Sequence, residues 1–255
     1  MVRMIMHGCG GAMGRTIAGL VEKTEGIELV AGIDLHASGQ ETFPVFASLS
    51  ECDVPADVVV DFSSAKAVDT LMDVCAEKKL PLVLCTTGLS EEQIAHVSET
   101  AKQTAVLRSA NMSLGINTLM KLLKDAAKVL AGAGFDVEIV EKHHNQKLDA
   151  PSGTALALAD SINDAMNDVY HYKYDRSKER AKRDPKEIGI SAVRGGSIVG
   201  EHDVIFAGTD EVVTFSHTAY SKAIFAKGAI EAAIFLATQK PGLYTMADVI
   251  EASSN

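Results

Sequence analysis

The chain has 255 residues, 47% of them hydrophobic, enough to bury one large core or two modest ones. A formal net charge of −10 without a clustered Lys/Arg stripe disfavours nucleic acid, and no apolar stretch is long enough for a membrane span or a signal h-region. Cys9, Cys52, Cys75 and Cys85 show no C-x-x-C spacing, so a soluble, cytoplasmic protein with reduced thiols is expected.

Val2 to Met6 forms an apolar run that ends in Gly8-Cys9-Gly10-Gly11-Ala12-Met13-Gly14, followed by helix-like residues from Arg15 to Val21. A second apolar run, 27–33, closes on Asp34, twenty residues after Gly14. This is the order of a dinucleotide-binding βαβ unit. Glycines bring backbone N–H groups up to a pyrophosphate, the helix N-terminus adds partial positive charge, and the acid accepts from ribose hydroxyls. The spacing is G-x-x-G-x-x-G on Gly8, Gly11 and Gly14 rather than the strict G-x-G-x-x-G, because Met13 stands where a glycine would be required.

Alternation continues with a buried parallel strand at 56–61 (ADVVVD), a helix at 65–79 and a strand at 80–85. Ser90-Glu91-Glu92-Gln93 opens a helix with a capping-box pattern, and 105–107 is a further strand. Ligands bind at the carboxyl ends of strands in open α/β sheets, which places Thr86-Thr87 and Ser109-Ala110-Asn111 at the same crevice as the glycine loop.

In the second half a helix at 113–130 leads to an alternating strand at 135–140, then to EKHHNQKLDAPSGTA at 141–155, and then to a helix body at 155–166. The charged stretch 169–187 reads as an exposed loop or mobile arm. Strands follow at 188–193, 204–207 and 211–217, the last two joined as a hairpin through Gly208-Thr209-Asp210. A helix at 221–238 returns to the first domain. The expected fold class is α/β: a Rossmann-like dinucleotide-binding domain (1–112 and 218–255), and a second α+β domain on a mixed or antiparallel sheet (113–217).

At a strand end His143 and His144 point in opposite directions, so at most one of them faces a reacting atom directly. Histidine titrates near neutral pH, Lys147 adds a full positive charge, and the N–H groups of Gly153 and Thr154 at a helix start suit a carboxylate. Together they describe a pocket for a small anion that gains a proton. No Cys/His spacing completes a zinc set, so no metal is expected.

The glycine loop, CTTG at 85–88, SANMSLGIN at 109–117, the run at 141–155 and VRGGSIVGEH at 193–202 resemble dihydrodipicolinate reductase, also called 4-hydroxy-tetrahydrodipicolinate reductase, over essentially the whole chain. The resemblance implies NAD(P)H-dependent reduction of a small dicarboxylate in lysine and diaminopimelate synthesis, by a cytoplasmic homotetramer assembled through the second domains. By the same resemblance His143 and Lys147 are catalytic, in proton transfer or in binding alone, and His144, Gly153 and Thr154 hold substrate. Gly8, Cys9, Gly10, Gly11, Ala12, Met13, Asp34, Cys85, Thr86, Thr87, Ser109, Ala110, Asn111 and Met112 fall on its dinucleotide-contacting positions.

Three positions depart from the family pattern: Ala12 replaces an arginine, Cys85 replaces the first residue of the GTT motif, and Leu35 stands where NADPH-using members carry Arg. Without that cation Asp34 would repel a 2′-phosphate by up to about 4 kcal/mol, for charges roughly 4 Å apart at an effective dielectric near 20. NADH is therefore expected over NADPH. The glycine loop alone also permits another two-domain nicotinamide oxidoreductase, against which the His-His-Lys run argues; a non-catalytic NAD-binding redox sensor is a further alternative, separated by a coupled activity assay.

Overall fold

The computed structural model describes residues 1–36, 39 and 41–253. In chain order the elements are β1 (Val2–His7), α1 (Ala12–Val21), β2 (Ile27–Ile33), β3 (Val45–Phe46), β4 (Val58–Asp61), α2 (Ala65–Lys78), β5 (Leu82–Leu84), α3 (Glu91–Thr100) and β6 (Ala105–Arg108). They continue with α4 (Leu114–Leu130), β7 (Asp136–His143), α5 (Gly153–Ala165), β8 (His171–Lys173), β9 (Glu187–Arg194) and β10 (Gly200–Ala207). The last are β11 (Val212–Ala219), α6 (Ala223–Leu236), β12 (Gly242–Tyr244) and α7 (Met246–Ala252). The chain forms two compact units, Met1–Leu114 with Ala223–Asn255, and Gly115–Lys222. No helix among the described residues is long and apolar enough to cross a membrane.

The first unit is built on a seven-stranded sheet in the order β12-β6-β5-β4-β1-β2-β3, parallel throughout. Successive side chains alternate between two cores. Met4, Met6, Val58, Val60 and Val83 pack on one face with Ile17 of α1 and Ala229 and Ala233 of α6. Ile5, Val59, Leu82, Leu84 and Val106 pack on the other with Val68, Leu71 and Met72 of α2. Strands buried on both faces carry continuous apolar runs, which is why ADVVVD lacks a polar alternation. Chain order reverses at β1, with β2 and β3 on one side and β4 to β6 on the other. The ends of β1 and β4 are thus the topological switch point where such sheets take ligands. The capping box opening α3 is formed, with Gln93 N donating to Ser90 Oγ (3.2 Å) and Ser90 N to Gln93 Oε1 (3.1 Å).

The second unit holds a five-stranded mixed sheet in the order β11-β10-β7-β9-β8, antiparallel from β7 through β11 and parallel from β7 through β8. Leu119 and Leu123 of α4 and Leu158 and Ile162 of α5 cover one face, meeting Val137, Ile139, Ile188, Val204 and Phe206. The hairpin of β10 and β11 closes through Gly208 N donating to Glu211 O (2.8 Å). The stretch 169–187 is less free than its charge suggests. β8 joins the sheet edge, and Arg183 donates to Glu138 Oε1 (2.9 Å), Asp136 Oδ1 (2.8 Å) and Val137 O (2.8 Å), fastening the rest to β7.

Candidate active site

In the first unit the loops after β1, β2, β4, β5 and β6 all leave the same edge of the parallel sheet. Gly8 adopts φ +84°, and a Cβ there would lie 2.8 Å from Phe62 O; a Cβ at Gly14 would lie 2.3 Å from Gly8 O. Only glycine fits at either position, so the loop hugs both the β4 end and the start of α1. Asp34 accepts from Gly10 N and His36 N, both at 2.9 Å, and Arg15 donates to Gly10 O. A cavity of about 560 Å³ opens here, lined by Gly8, Gly11, Asp34, Leu35, His36 and Phe62 among others. A chain path left open by glycines, a helix start and an acid at the second strand end together fit a dinucleotide.

Of the other expected cofactor positions, Cys9 and Gly10 lie in the glycine loop, Ala12 and Met13 start α1, and the rest follow β5 and β6; none of them lines that cavity. Ser109 Oγ donates to Asn111 O (2.8 Å) and shapes the turn after β6, while Cys9, Cys85 and Met112 turn their side chains into the core. Burial, and then the charge of Asp34, pushes the Cys9 thiol up to about 11; burial followed by Asp61 raises Cys85 well above the usual thiol range. Thr86 is tied in by a residue that the sequence reading did not single out: fully buried Asp61 accepts from Thr86 Oγ1 (2.5 Å) and pairs with His7 Nδ1 (2.6 Å). One carboxylate thereby joins the ends of β1, β4 and β5.

In the second unit β7 alternates inward and outward, placing Glu141 and His143 on the buried face and leaving Lys142 and His144 part-exposed. Glu141 is completely buried and surrounded by donors. Its Oε2 takes His143 Nδ1 at 2.6 Å and Arg194 Nη1 at 2.7 Å; its Oε1 takes Arg194 Nη2 at 2.7 Å and Ser152 N at 3.0 Å. Burial alone would raise its pKa, yet the hydrogen bonds of Arg194, His143 and the Ser152 amide outweigh it and hold the carboxyl below the ordinary range. Ser152 caps α5 by accepting from Ala155 N (3.1 Å) and pairs with His202 Nε2 (3.1 Å). The His202 ring stands edge-on to that of His143, with centroids 5.2 Å apart. Burial, then the neighbouring His143 charge, lowers His202 to about 4. Lys147 pairs with Asp149 at 2.9 Å, and the space in front of Gly153 is open. A histidine held by a carboxylate, a lysine and a helix start thus occupy one end of α5.

Family profiles for the two parts of dihydrodipicolinate reductase match nearly the whole chain, the N-terminus over residues 2–112 and the C-terminus over 115–250. The chain belongs to the dihydrodipicolinate reductase family. The 4-hydroxy-tetrahydrodipicolinate reductase of Caldanaerobacter subterraneus subsp. tengcongensis is 53% identical over 251 residues, spanning 98% of this chain and 99% of that protein. That of Clostridium novyi is 47% identical over 254 residues, spanning both chains completely. Among solved structures, dipicolinate-bound dihydrodipicolinate reductase from Paenisporosarcina sp. TG-14 aligns with TM-score 0.80 at 26% identity, over 96% of this chain and 97% of that one. An oxidoreductase from Agrobacterium radiobacter, solved with NAD+, L-tartaric acid and magnesium, shares the fold at TM-score 0.59 and 10% identity, over 98% of this chain and 92% of that one.

The run at 141–155 displays His143, Lys147, His144, Gly153 and Thr154 by residue type, but not the groups that hold them. Glu141 begins the run at 141–155, while Arg194 and His202 lie within VRGGSIVGEH. Each was in view as part of a motif and had no assigned role, because its partner lies on another strand.

Proposed function

We propose that this family member is an NAD(P)H-dependent 4-hydroxy-tetrahydrodipicolinate reductase, giving 2,3,4,5-tetrahydrodipicolinate for lysine and diaminopimelate synthesis. The observation that carries this reading is the Glu141–His143 pair (2.6 Å) beside Lys147 and the open start of α5. In the reaction the 4-hydroxyl leaves as water together with a hydrogen from a neighbouring ring carbon, and one hydride and one proton add to the ring. When bound, the reduced nicotinamide supplies the hydride. His143 supplies the proton from Nε2, since its Nδ1 is engaged by Glu141. Lys147, His144 and the Gly153 and Thr154 amides hold a carboxylate and so orient the ring for attack.

The dinucleotide site is assigned to Gly8–Met13, Asp34, Cys85–Thr87 and Ser109–Met112, within a domain of residues 1–112 and 218–255; residues 113–217 bind substrate and oligomerise. NADH is the preferred coenzyme. Asp34 already takes two backbone N–H groups, and its neighbour Leu35, 77% exposed, offers no cation to a 2′-phosphate. The assembly is a homotetramer through the second-domain sheets, for which exposed Val193 and Val212 on its strands supply apolar surface. The compartment is the cytoplasm, where its four buried free cysteines stay reduced. A coupled assay with aspartate semialdehyde, pyruvate and the condensing synthase tests the activity. Loss of nicotinamide absorbance that needs every component is expected, and no oxidation refutes it; sedimentation tests the tetramer.

A further inference from the structure

We infer that Glu141 is a positioning residue that fixes which nitrogen of His143 works and ties that nitrogen to the start of α5. The inference rests on His143 being the proton donor. All four groups reaching Glu141 are donors: His143 Nδ1–H and Arg194 Nη1–H at Oε2, Arg194 Nη2–H and Ser152 N–H at Oε1. A carboxylate satisfies all of them, and nothing else of its shape does. An amide in either orientation would turn its NH2 onto two donors and break one pair of these bonds. With Nδ1–H held at 2.6 Å, neutral His143 keeps its proton on Nδ1 and leaves the Nε2 lone pair free; the imidazolium carries its second proton on Nε2.

The surroundings of Nε2 agree with that assignment. The residue opposite is Gly200 at the start of β10, where a Cβ would approach Nε2 to 3.1 Å. The nitrogen aimed away from Glu141 thus faces a position whose side chain is absent. The same carboxylate holds Ser152, the N-cap residue of α5, so the proton donor and the Gly153–Thr154 amides share one anchor. Glu141 is completely buried with both oxygens taken, so it acts only through these groups.

Two measurements decide the inference. The first is 15N NMR of the histidine-labelled wild-type protein without substrate, His143 being assigned by its loss in His143→Gln. Neutral His143 protonated at Nδ1 is the expected result. Protonation at Nε2, or rapid exchange between the two tautomers, overturns the inference whatever the activity. The second is the coupled assay on Glu141→Gln, for which kcat should fall about 100-fold, the scale of a lost general-acid contribution. An active Glu141→Gln beside an inactive His143→Gln overturns the positioning role and leaves the reductase reading intact. An inactive wild-type enzyme instead overturns that reading, while the NMR result still decides the tautomer. If Glu141→Gln does not fold, the wild-type spectrum decides alone.

Discussion

Replacing His202 with glutamine removes a histidine that is 4% exposed and whose folded pKa is about 4, against an ordinary value of 6.5. A group depressed in this way contributes stability above its unfolded pKa and loses it as pH falls toward the folded one, because the unfolded chain takes up the proton first. At about pH 5 the unfolded state gains roughly 1.5 log units from this single residue, or about 2 kcal/mol, while at about pH 8 it gains almost nothing. The groups whose charges act on the ring, His143, Glu141, His217 and Lys147, are present in both proteins, so the comparison isolates His202. Glu141 is depressed below the ordinary carboxylate value, so its contribution is lost only at lower pH still. Urea unfolding of the wild type and His202→Gln at both pH values measures the effect. On going from pH 8 to pH 5 the stability of the variant relative to the wild type should rise by about 2 kcal/mol. Parallel pH dependences would show that His202 titrates normally, and would refute the burial argument.

Gly200→Ala puts a methyl 3.1 Å from His143 Nε2 without demanding an unusual backbone angle, so kcat should fall about tenfold with substrate KM nearly unchanged; a rise in KM alone would mean that Nε2 does not do the chemistry. Leu35→Arg supplies a cation beside Asp34 and should raise kcat/KM for NADPH about tenfold, the equivalent of 1.4 kcal/mol; an unchanged coenzyme ratio would sink the electrostatic account of preference. Gly14→Ala would force a Cβ to 2.3 Å from Gly8 O, and the overpacking should cost about 2 kcal/mol in urea unfolding together with most of the coenzyme affinity measured by fluorescence titration.

What the sequence made legible was whatever depends on neighbours along the chain. The apolar run at 58–61, the glycine loop, the Ser90–Gln93 box and the alternation at 135–140 are all local patterns. β3, β8 and β12, each of two or three residues, are too short to show a period; α7 was missed although Thr245 and Asp248 form its capping box. The supporting network was hidden for a different reason. Glu141 stands opposite His202 across β7 and β10, and His143 opposite Arg194 across β7 and β9, so partners far apart in the chain meet only through sheet register. His7 and Asp61 meet in the same way across β1 and β4.

Hydride delivery to the substrate ring with a proton from His143 is the centre of the account, and isotope tracing tests it most directly. The tetrahydrodipicolinate formed with each C4-deuterated form of NADH should be analysed by mass spectrometry, for the wild type and His143→Gln. One deuterium on a ring carbon from one of the two coenzyme forms only, and a near-complete loss of turnover in the variant, are expected. A product without coenzyme-derived deuterium from either form, or an undiminished rate in His143→Gln, would contradict it.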